Sequence, residues 1–245
     1  MMATSQAEQT VGQLVVERPS RARVFERLGI DYCCGGKQPL AQACRQRELE
    51  LDAVVAELQR EATSAAAVDA TERNWAAASL TDLCDHIEHT HHAYLKDELP
   101  RLAFLTTKVA NRHGEHRPAL LEVAQVFAEL RAEMDSHMMK EERILFPLCR
   151  QLDTADALPS SHCGSVANPI EVMIREHDHA GDALARIRAL TDTYTVPADA
   201  CNTYRALFDS LQQLERDMHQ HVHKENNILF PKAIRQERLL SAAAR

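Results

Sequence analysis

An eleven-residue phrase occurs twice in the chain and constrains its fold more than any other feature. Residues 137–147 and 221–231 both read HxxKExxILFP, at an offset of 84 residues (221 − 137). So many shared positions at one offset indicate an internal repeat. In each copy a histidine and a glutamate are four residues apart, so in a helix they lie on the same face.

The face that carries each His/Glu pair is otherwise apolar. Its residues step by threes and fours, the pattern of a helix buried in a bundle. The two series are Phe127, Leu130, Met134, His137, Glu141 and Ile144, and Leu211, Leu214, Met218, His221, Glu225 and Ile228. A buried ionised glutamate needs a partner, which a bound cation would supply. One such pair would be read as a surface or core ion pair, but two in register favour a metal site.

The repeat predicts matching residues in the two preceding helices. His92 lies 45 residues before His137, and His177 lies 44 residues before His221. Each of two metals would then receive two histidines and one glutamate, with either glutamate able to bridge. Two histidines and one carboxylate with open positions are typical of non-haem iron, so iron is expected ahead of manganese or zinc.

Several other polar residues compete for a place in the site. His91 is an alternative ligand to His92. Glu133 and Glu176 could line an access path or relay protons, although ordinary surface carboxylates are an equally good reading. His86 and His89 are expected to be solvated, and His113 to complement the dipole at its helix end. His179, His219 and His223 are each two residues from a candidate ligand and are expected to point elsewhere.

Composition favours a nearly all-helical protein, because glycine and aromatic residues are few and no alternating β-branched run is present. Four long helices with short connections predict an up-and-down four-helix bundle. They are expected at about Leu80 to His113, Pro118 to Pro147, Pro169 (after an Asn168 cap) to Leu190, and Asp199 to Leu229.

The net charge of −8 disfavours nucleic acid and anionic membranes as partners. With no signal pattern or membrane span, and seven cysteines without framework spacing, we expect a cytoplasmic protein with reduced thiols.

All thirteen histidines lie between His86 and His223, which separates the first part of the chain from the rest. We therefore predict two domains, residues 1–70 and 71–245, joined near the stretch 61–71. The first should contain short helices at 11–17, 21–28, 40–47 and 51–61. Between the second and third, DYCCGG is expected to form a turn with positive φ at its glycines. Cys33 and Cys34 are read either as an exposed thiol site or as incidental, and without a CxxC spacing zinc is poorly supported.

Taken together, these motifs resemble the repair of iron centres (RIC) family, hemerythrin-like di-iron proteins with an ScdA-type N-terminal domain. The resemblance covers nearly the whole chain. Its motifs are DYCCGG (31–36), HHxxLxxELP (91–100), KVxxxHG (108–114), HMxKEExxLFP (137–147), EHDxAG (176–181) and HxxxENNxLFP (221–231).

The resemblance implies a centre of two non-haem irons, typically joined by an oxo or hydroxo bridge, with two histidines per metal and two bridging glutamates. It also implies that the second histidine of the His91-His92 pair is the ligand. The implied ligands are His92, His137, Glu141, His177, His221 and Glu225. Family members are cytosolic and are linked to the repair of iron-sulfur clusters damaged by nitric oxide or peroxide.

The function expected from these features is a labile di-iron store that donates iron to damaged iron-sulfur proteins. Cys33 and Cys34 would receive that iron or dock the client. A competing hypothesis is a nitric oxide reductase that forms nitrous oxide, with Glu133 or Glu176 supplying protons. A third is a protein that binds or senses oxygen or nitric oxide, which the added cysteine domain argues against. A homodimer through the small N-terminal domain is a further hypothesis.

Overall fold

The computed structural model describes residues 6–64 and 73–243, and the regular elements in this part of the chain are helical. Within these residues the only β-type pairing is an isolated bridge between Thr10 and Pro39. The predicted all-α fold class is therefore confirmed. None of the helices in the described ranges is both long and apolar enough to cross a membrane.

Between residues 11 and 64 the N-terminal part folds as four short helices and one 3₁₀ turn. Thr10 and Gln13 form a reciprocal capping box that starts the first helix. A compact apolar cluster lies between the helices and includes Leu14, Phe25 and Leu58, all fully buried. The elements are α1 (Val11–Glu17), α2 (Arg21–Leu28), the 3₁₀ turn (Cys34–Lys37), α3 (Leu40–Gln46) and α4 (Leu51–Ser64).

The rest of the described chain forms the four long helices that the sequence predicts, and three of them contain a π-helical turn. The first is α5 (Leu80–His86), π1 (Ile87–His92) and α6 (Ala93–His113), and the second is α7 (Ala119–Lys140), π2 (Glu141–Leu145) and α8 (Phe146–Thr154). The third is α9 (Ala167–Leu190), and the fourth is α10 (Asn202–Lys224), π3 (Glu225–Leu229) and α11 (Phe230–Ala243).

The helix ends predicted at Pro147 and before Pro231 are wrong. Each proline is the second residue of the α-helix that follows a π turn, namely α8 and α11. A proline is tolerated in the first turn of a helix because its missing N–H is not needed there. The chain therefore continues as helix to Thr154 and Ala243. The predicted cap is also wrong, since α9 begins at Ala167 and Asn168 instead donates to the Cys163 carbonyl.

The glycines of the DYCCGG turn do not have the predicted positive φ, which among the described glycines occurs at Gly29 and Gly164. Gly36 lies instead in the 3₁₀ turn against Asn227 of the bundle. A Cβ atom on Gly36 would lie 2.5 Å from Asn227 Oδ1, so the glycine is required for close approach. The predicted junction spans residues 61–71. Beyond Ser64 it lies outside the described residues, so the domain boundary stays a prediction.

The N-terminal part docks on the fourth bundle helix through its turn. Asn227 Nδ2 donates to the carbonyls of Tyr32 and Cys33 at 3.3 and 3.2 Å, and His223 Nδ1 donates to the Tyr32 carbonyl at 3.2 Å. The Tyr32 ring packs edge-on against His223, with centroids 5.4 Å apart. These contacts place Cys33 and Cys34 against the bundle.

The first bundle helix is capped from the end of the second. Asp153 accepts hydrogen bonds from the backbone N–H groups of Leu80 and Thr81 at 3.2 and 3.1 Å. Burial alone would raise the pKa of Asp153, but the hydrogen bonds from Thr81 and Leu80 lower it. The carboxylate is therefore more stable in the folded chain than in the unfolded one, where its pKa is about 3.9.

Replacing Asp153 with alanine is expected to lower the free energy of unfolding by about 1 kcal/mol at pH 7. Because the folded-state pKa is the lower one, this stabilisation is present above the unfolded value and is lost as the pH falls through the folded value. Urea unfolding of the metal-free wild type and variant should therefore differ at pH 7 and converge in acid. A difference that grows in acid would contradict this assignment.

Candidate metal centre

The bundle core contains four histidines and two glutamates, each at most 1% exposed. They form two groups whose ligand atoms all lie within 4.8 Å of one another. The first group is His92, Glu141, His221 and Glu225, and the second is His137, Glu141, His177 and Glu225. Both glutamates belong to both groups, so each can be shared by two cations.

Each glutamate lies between two imidazoles. Glu141 Oε2 is 3.3 Å from His92 Nε2 and 3.1 Å from His137 Nε2. The Glu225 carboxylate is 3.0 Å from His177 Nε2 through Oε2 and 3.0 Å from His221 Nε2 through Oε1. Two nitrogens and two shared carboxylates per group form a ligand set of the kind that binds divalent transition metals.

The π turns lie at the centre itself. Glu141 and Glu225 are the first residues of π2 and π3, and His92 is the last residue of π1. A π turn adds a residue to one turn of a helix and is frequent at functional sites. In these helices the π turns coincide with ligand residues, and an α-helix resumes after each turn.

Several of the converging atoms have no hydrogen-bond partner within the described chain. They are His92 Nε2, both carboxylate oxygens of Glu141 and Glu225 Oε2, and all are buried. The close approach of His92 to Glu141 therefore lacks hydrogen-bond geometry. Buried charged and polar atoms without partners are costly. A cation in each group would satisfy them, so the residues present fit a metal.

Three of the four histidines are oriented by a hydrogen bond on the opposite ring nitrogen. His92 Nδ1 donates to Glu142 at 2.8 Å, and His137 Nδ1 donates to Glu176 at 2.9 Å. His177 Nδ1 lies 3.0 Å from Asn226 Oδ1. Such partners fix the tautomer in which Nε2 is free to bind a metal. In the second repeat copy Asn226 follows the glutamate as Glu142 does in the first, a positional signal that the sequence analysis missed.

The charges in the cluster stabilise one another. Burial alone would lower the pKa of His137, but the adjacent Glu141 raises it to about 10. Burial alone would raise the pKa of Glu225, yet the imidazoles of His221 and His177 bring it well below its usual value. Without metal, a proton on imidazole balances the buried carboxylate. A metal must displace that proton, so binding releases protons.

His91, the alternative ligand, lies beside the cluster and not in it. Its Nδ1 is 2.9 Å from Asp217 Oδ1, and its Nε2 is 2.8 Å from Lys224 Nζ. The ring stacks in parallel on His221, with centroids 5.2 Å apart. The structure therefore brings His92, and not its neighbour, to the centre.

The two carboxylates suggested as proton relays lie in different places. Glu176 contacts His137 and Lys140, and its side chain is 27% exposed. The hydrogen bond from His137 lowers the pKa of Glu176 to about 2. Glu133 is exposed on α7 and is not brought to the cluster.

The adjacent cysteines are less exposed than the thiol-site reading expects. Cys33 is buried and Cys34 is half-buried. The Cys34 thiol donates to the His177 carbonyl at 3.4 Å. A hydrogen bond with Cys34, together with burial, raises the pKa of Cys33 well above its usual value. Cys33 is therefore a poor nucleophile in the folded chain.

Replacing Asn226 with alanine is expected to weaken metal binding by about 10–100-fold, because His177 loses the group that orients its ring. Asn226→Asp should retain most of the affinity, since it keeps an acceptor oxygen. Asn227→Ala is the matched control, because that neighbour contacts the N-terminal turn instead of a ligand. Chelator competition would measure all three affinities, and equal losses in Asn226→Ala and Asn227→Ala would contradict the assigned role.

Comparison with known proteins bears on both parts of the chain. Residues 85–233 match the family model of the hemerythrin HHE cation binding domain, and residues 7–62 match the ScdA_N model, described as a domain of unknown function. The chain is similar to the iron-sulfur cluster repair protein YtfE of Enterobacter sp. (strain 638), with 37% identity over 93% of this chain and 97% of the relative. The protein of the same name from Escherichia coli O81 (strain ED1a) is 36% identical over the same shares.

Proposed function

This chain belongs to the hemerythrin HHE family and, within it, to the repair of iron centres proteins, and on that premise we propose that it repairs damaged iron-sulfur clusters by donating iron from a di-iron centre. The buried cluster supports this proposal, because two carboxylates are shared between two histidine pairs. The proposed iron ligands are His92, His137, Glu141, His177, His221 and Glu225. Iron bound there would supply a redox-active cation whose ferrous form exchanges more readily.

Two outer carboxylates connect the proposed ligands to solvent. Glu142 hydrogen-bonds His92 Nδ1 and Glu176 hydrogen-bonds His137 Nδ1, and both side chains are 27% exposed. Each carboxylate thus contacts a buried imidazole and also solvent. Protonating either carboxylate in acid would remove the acceptor that orients its imidazole, which would weaken the hold of that histidine on the metal.

The N-terminal domain lies where it could act on released iron or on a client. Cys34 contacts the backbone of His177, which is a proposed ligand. This contact supports a role for the Cys33-Cys34 turn in receiving iron or in docking the damaged protein. The clients would be iron-sulfur proteins damaged by nitric oxide or peroxide, and small diatomic ligands would reach the centre as well.

Two further expectations belong to the proposal. We place the protein in the cytoplasm, where its cysteines would stay reduced. The homodimer remains a hypothesis. The small size of the N-terminal domain is a weaker argument for it in the folded protein, because that domain has an apolar cluster of its own and packs on its own bundle. Light scattering of the iron-loaded protein would measure the mass directly.

The proposed function is tested by adding the iron-loaded protein to an iron-sulfur dehydratase inactivated with nitric oxide. Recovery of dehydratase activity, with a matching loss of iron from the donor, is the expected result. The iron-free protein in the same buffer is the control for iron already in solution. Sustained nitrous oxide production by the reduced protein, without recovery of the client, would instead favour the nitric oxide reductase.

A further inference from the structure

Three ligand atoms converge at the turn that carries the two cysteines. The Asp31 carboxylate and the sulfurs of Cys33 and Cys34 all lie within 4.8 Å of one another. The Cys33 thiol donates to Asp31 Oδ1 at 3.1 Å, and the Cys34 thiol donates to the His177 carbonyl at 3.4 Å. Ligands of one tetrahedral ion lie about 3.3–3.8 Å apart when each is about 2.0–2.3 Å from the metal. The three atoms are thus close enough to share one cation after small shifts.

The carboxylate of this cluster is held in place by the turn. The Cys33 backbone N–H donates to Asp31 Oδ1 at 2.9 Å, and the Gly35 backbone N–H donates to Oδ2 at 2.8 Å. Oδ2 retains a lone pair for another partner, and Oδ1 regains one when the Cys33 thiol that donates to it loses its proton. Asp31 is exposed while Cys33 is buried, so the cluster extends from the surface to the contact with the bundle.

The cluster lies directly on the helix of a proposed iron ligand. Cys34 Sγ is 3.4 Å from the His177 carbonyl, and it packs beside Gly181 of the same helix. Asn227 holds the Tyr32 and Cys33 carbonyls from the neighbouring helix. The turn and the buried centre are therefore joined by hydrogen bonds on two sides.

We propose that Asp31, Cys33 and Cys34 form a second site, which binds one thiophilic divalent cation. Its natural occupant would be ferrous iron that leaves the buried centre, an assignment that rests on the proposed function. Soft thiolates suit such ions, and Asp31 supplies the third ligand that the spacing of the cysteines alone does not reveal. One dication replaces the two thiol protons, so affinity rises with pH.

Cobalt titration of the reduced protein without oxygen tests the site directly. Glu141→Ala/Glu225→Ala protein is used so that the buried centre does not compete. We expect one equivalent of Co²⁺ to produce thiolate-to-cobalt charge-transfer absorption, abolished by Cys33→Ser or Cys34→Ser and weakened at least about tenfold by Asp31→Asn. Cys163→Ser/Cys201→Ser is the control and should retain the band. No band, or a band that survives in Cys33→Ser and Cys34→Ser, would overturn the site.

A second measurement uses the iron-loaded wild type and does not depend on how the variants fold. Cd²⁺ should protect Cys34 from iodoacetamide at least about tenfold, whereas Cys163, which is also half-buried, stays unprotected. Equal alkylation of Cys34 with and without Cd²⁺ would refute the site.

Metal binding at the turn without client repair would count against the proposed function alone. Repair without metal binding at the turn would count against this site alone.

Discussion

Alanine at both Glu141 and Glu225 is expected to reduce the iron content from about two ions per chain to nearly none. Each carboxylate contacts two of the four histidines and belongs to both ligand groups. Their removal therefore takes the shared ligands from both metals at once. Histidine pairs would remain, without the negative charge that offsets the buried cations. Metal analysis after anaerobic loading, with the visible absorption of the proposed di-iron centre, measures the loss.

The same variant should lose the stabilisation that iron provides. A ligand present at about 1,000 times its dissociation constant stabilises the folded state by about 4 kcal/mol. For a chain of this size that corresponds to a rise in Tm of about 8–16 °C. Iron should produce this rise in the wild type and none in the double variant.

Glu133→Ala is the matched control for the loss of iron. Glu133 lies on the same helix as Glu141 and is also four residues from His137, but it is exposed. The control variant should bind iron as the wild type does. If the double variant kept two irons per chain, or if Glu133→Ala lost them, the assignment of the bridging residues would be wrong.

Alanine at Gly12 is expected to disrupt the docking of the N-terminal domain and to lower client repair at least about tenfold, with the iron content unchanged. A Cβ atom there would lie 2.4 Å from Asn227 Oδ1 and 2.9 Å from the Gly36 carbonyl. Overpacking of this kind costs about 1–3 kcal/mol. Gly12 lies inside α1, where alanine is intrinsically favoured by about 1 kcal/mol. The added methyl therefore acts against docking and not against the helix.

Gly181→Ala is the control for this substitution. Its Cβ atom would lie 3.6 Å from Cys34 Sγ, an ordinary contact at the same interface. Small-angle scattering should show a larger radius of gyration for Gly12→Ala and no change for Gly181→Ala. Undisturbed docking and full repair in Gly12→Ala would mean that the close packing around Asn227 is not needed.

The repeat by itself identified the residues that meet in the bundle core. His137 and Glu141, and likewise His221 and Glu225, share a helix face because the helical period is a local property of the chain. The apolar stripe around them indicated that this face is buried, and the repeat pointed to matching histidines in the preceding helices, where the family resemblance chose His92 over His91. Fold class and family could also be predicted from the sequence, because helical periodicity and short motifs are local properties of the chain.

Only the tertiary structure decided how these residues are grouped and what surrounds them. His92 is grouped with His221, and His137 with His177, so each ligand group draws one histidine from each half of the repeat. Relative rotation of packed helices sets that grouping, and no short stretch of sequence contains it. Asn226 orients His177 across a helix contact, and Asp31 joins the cysteines through a folded turn. Such contacts depend on how helices and turns pack, whereas the face on which a residue lies depends only on its position along the helix.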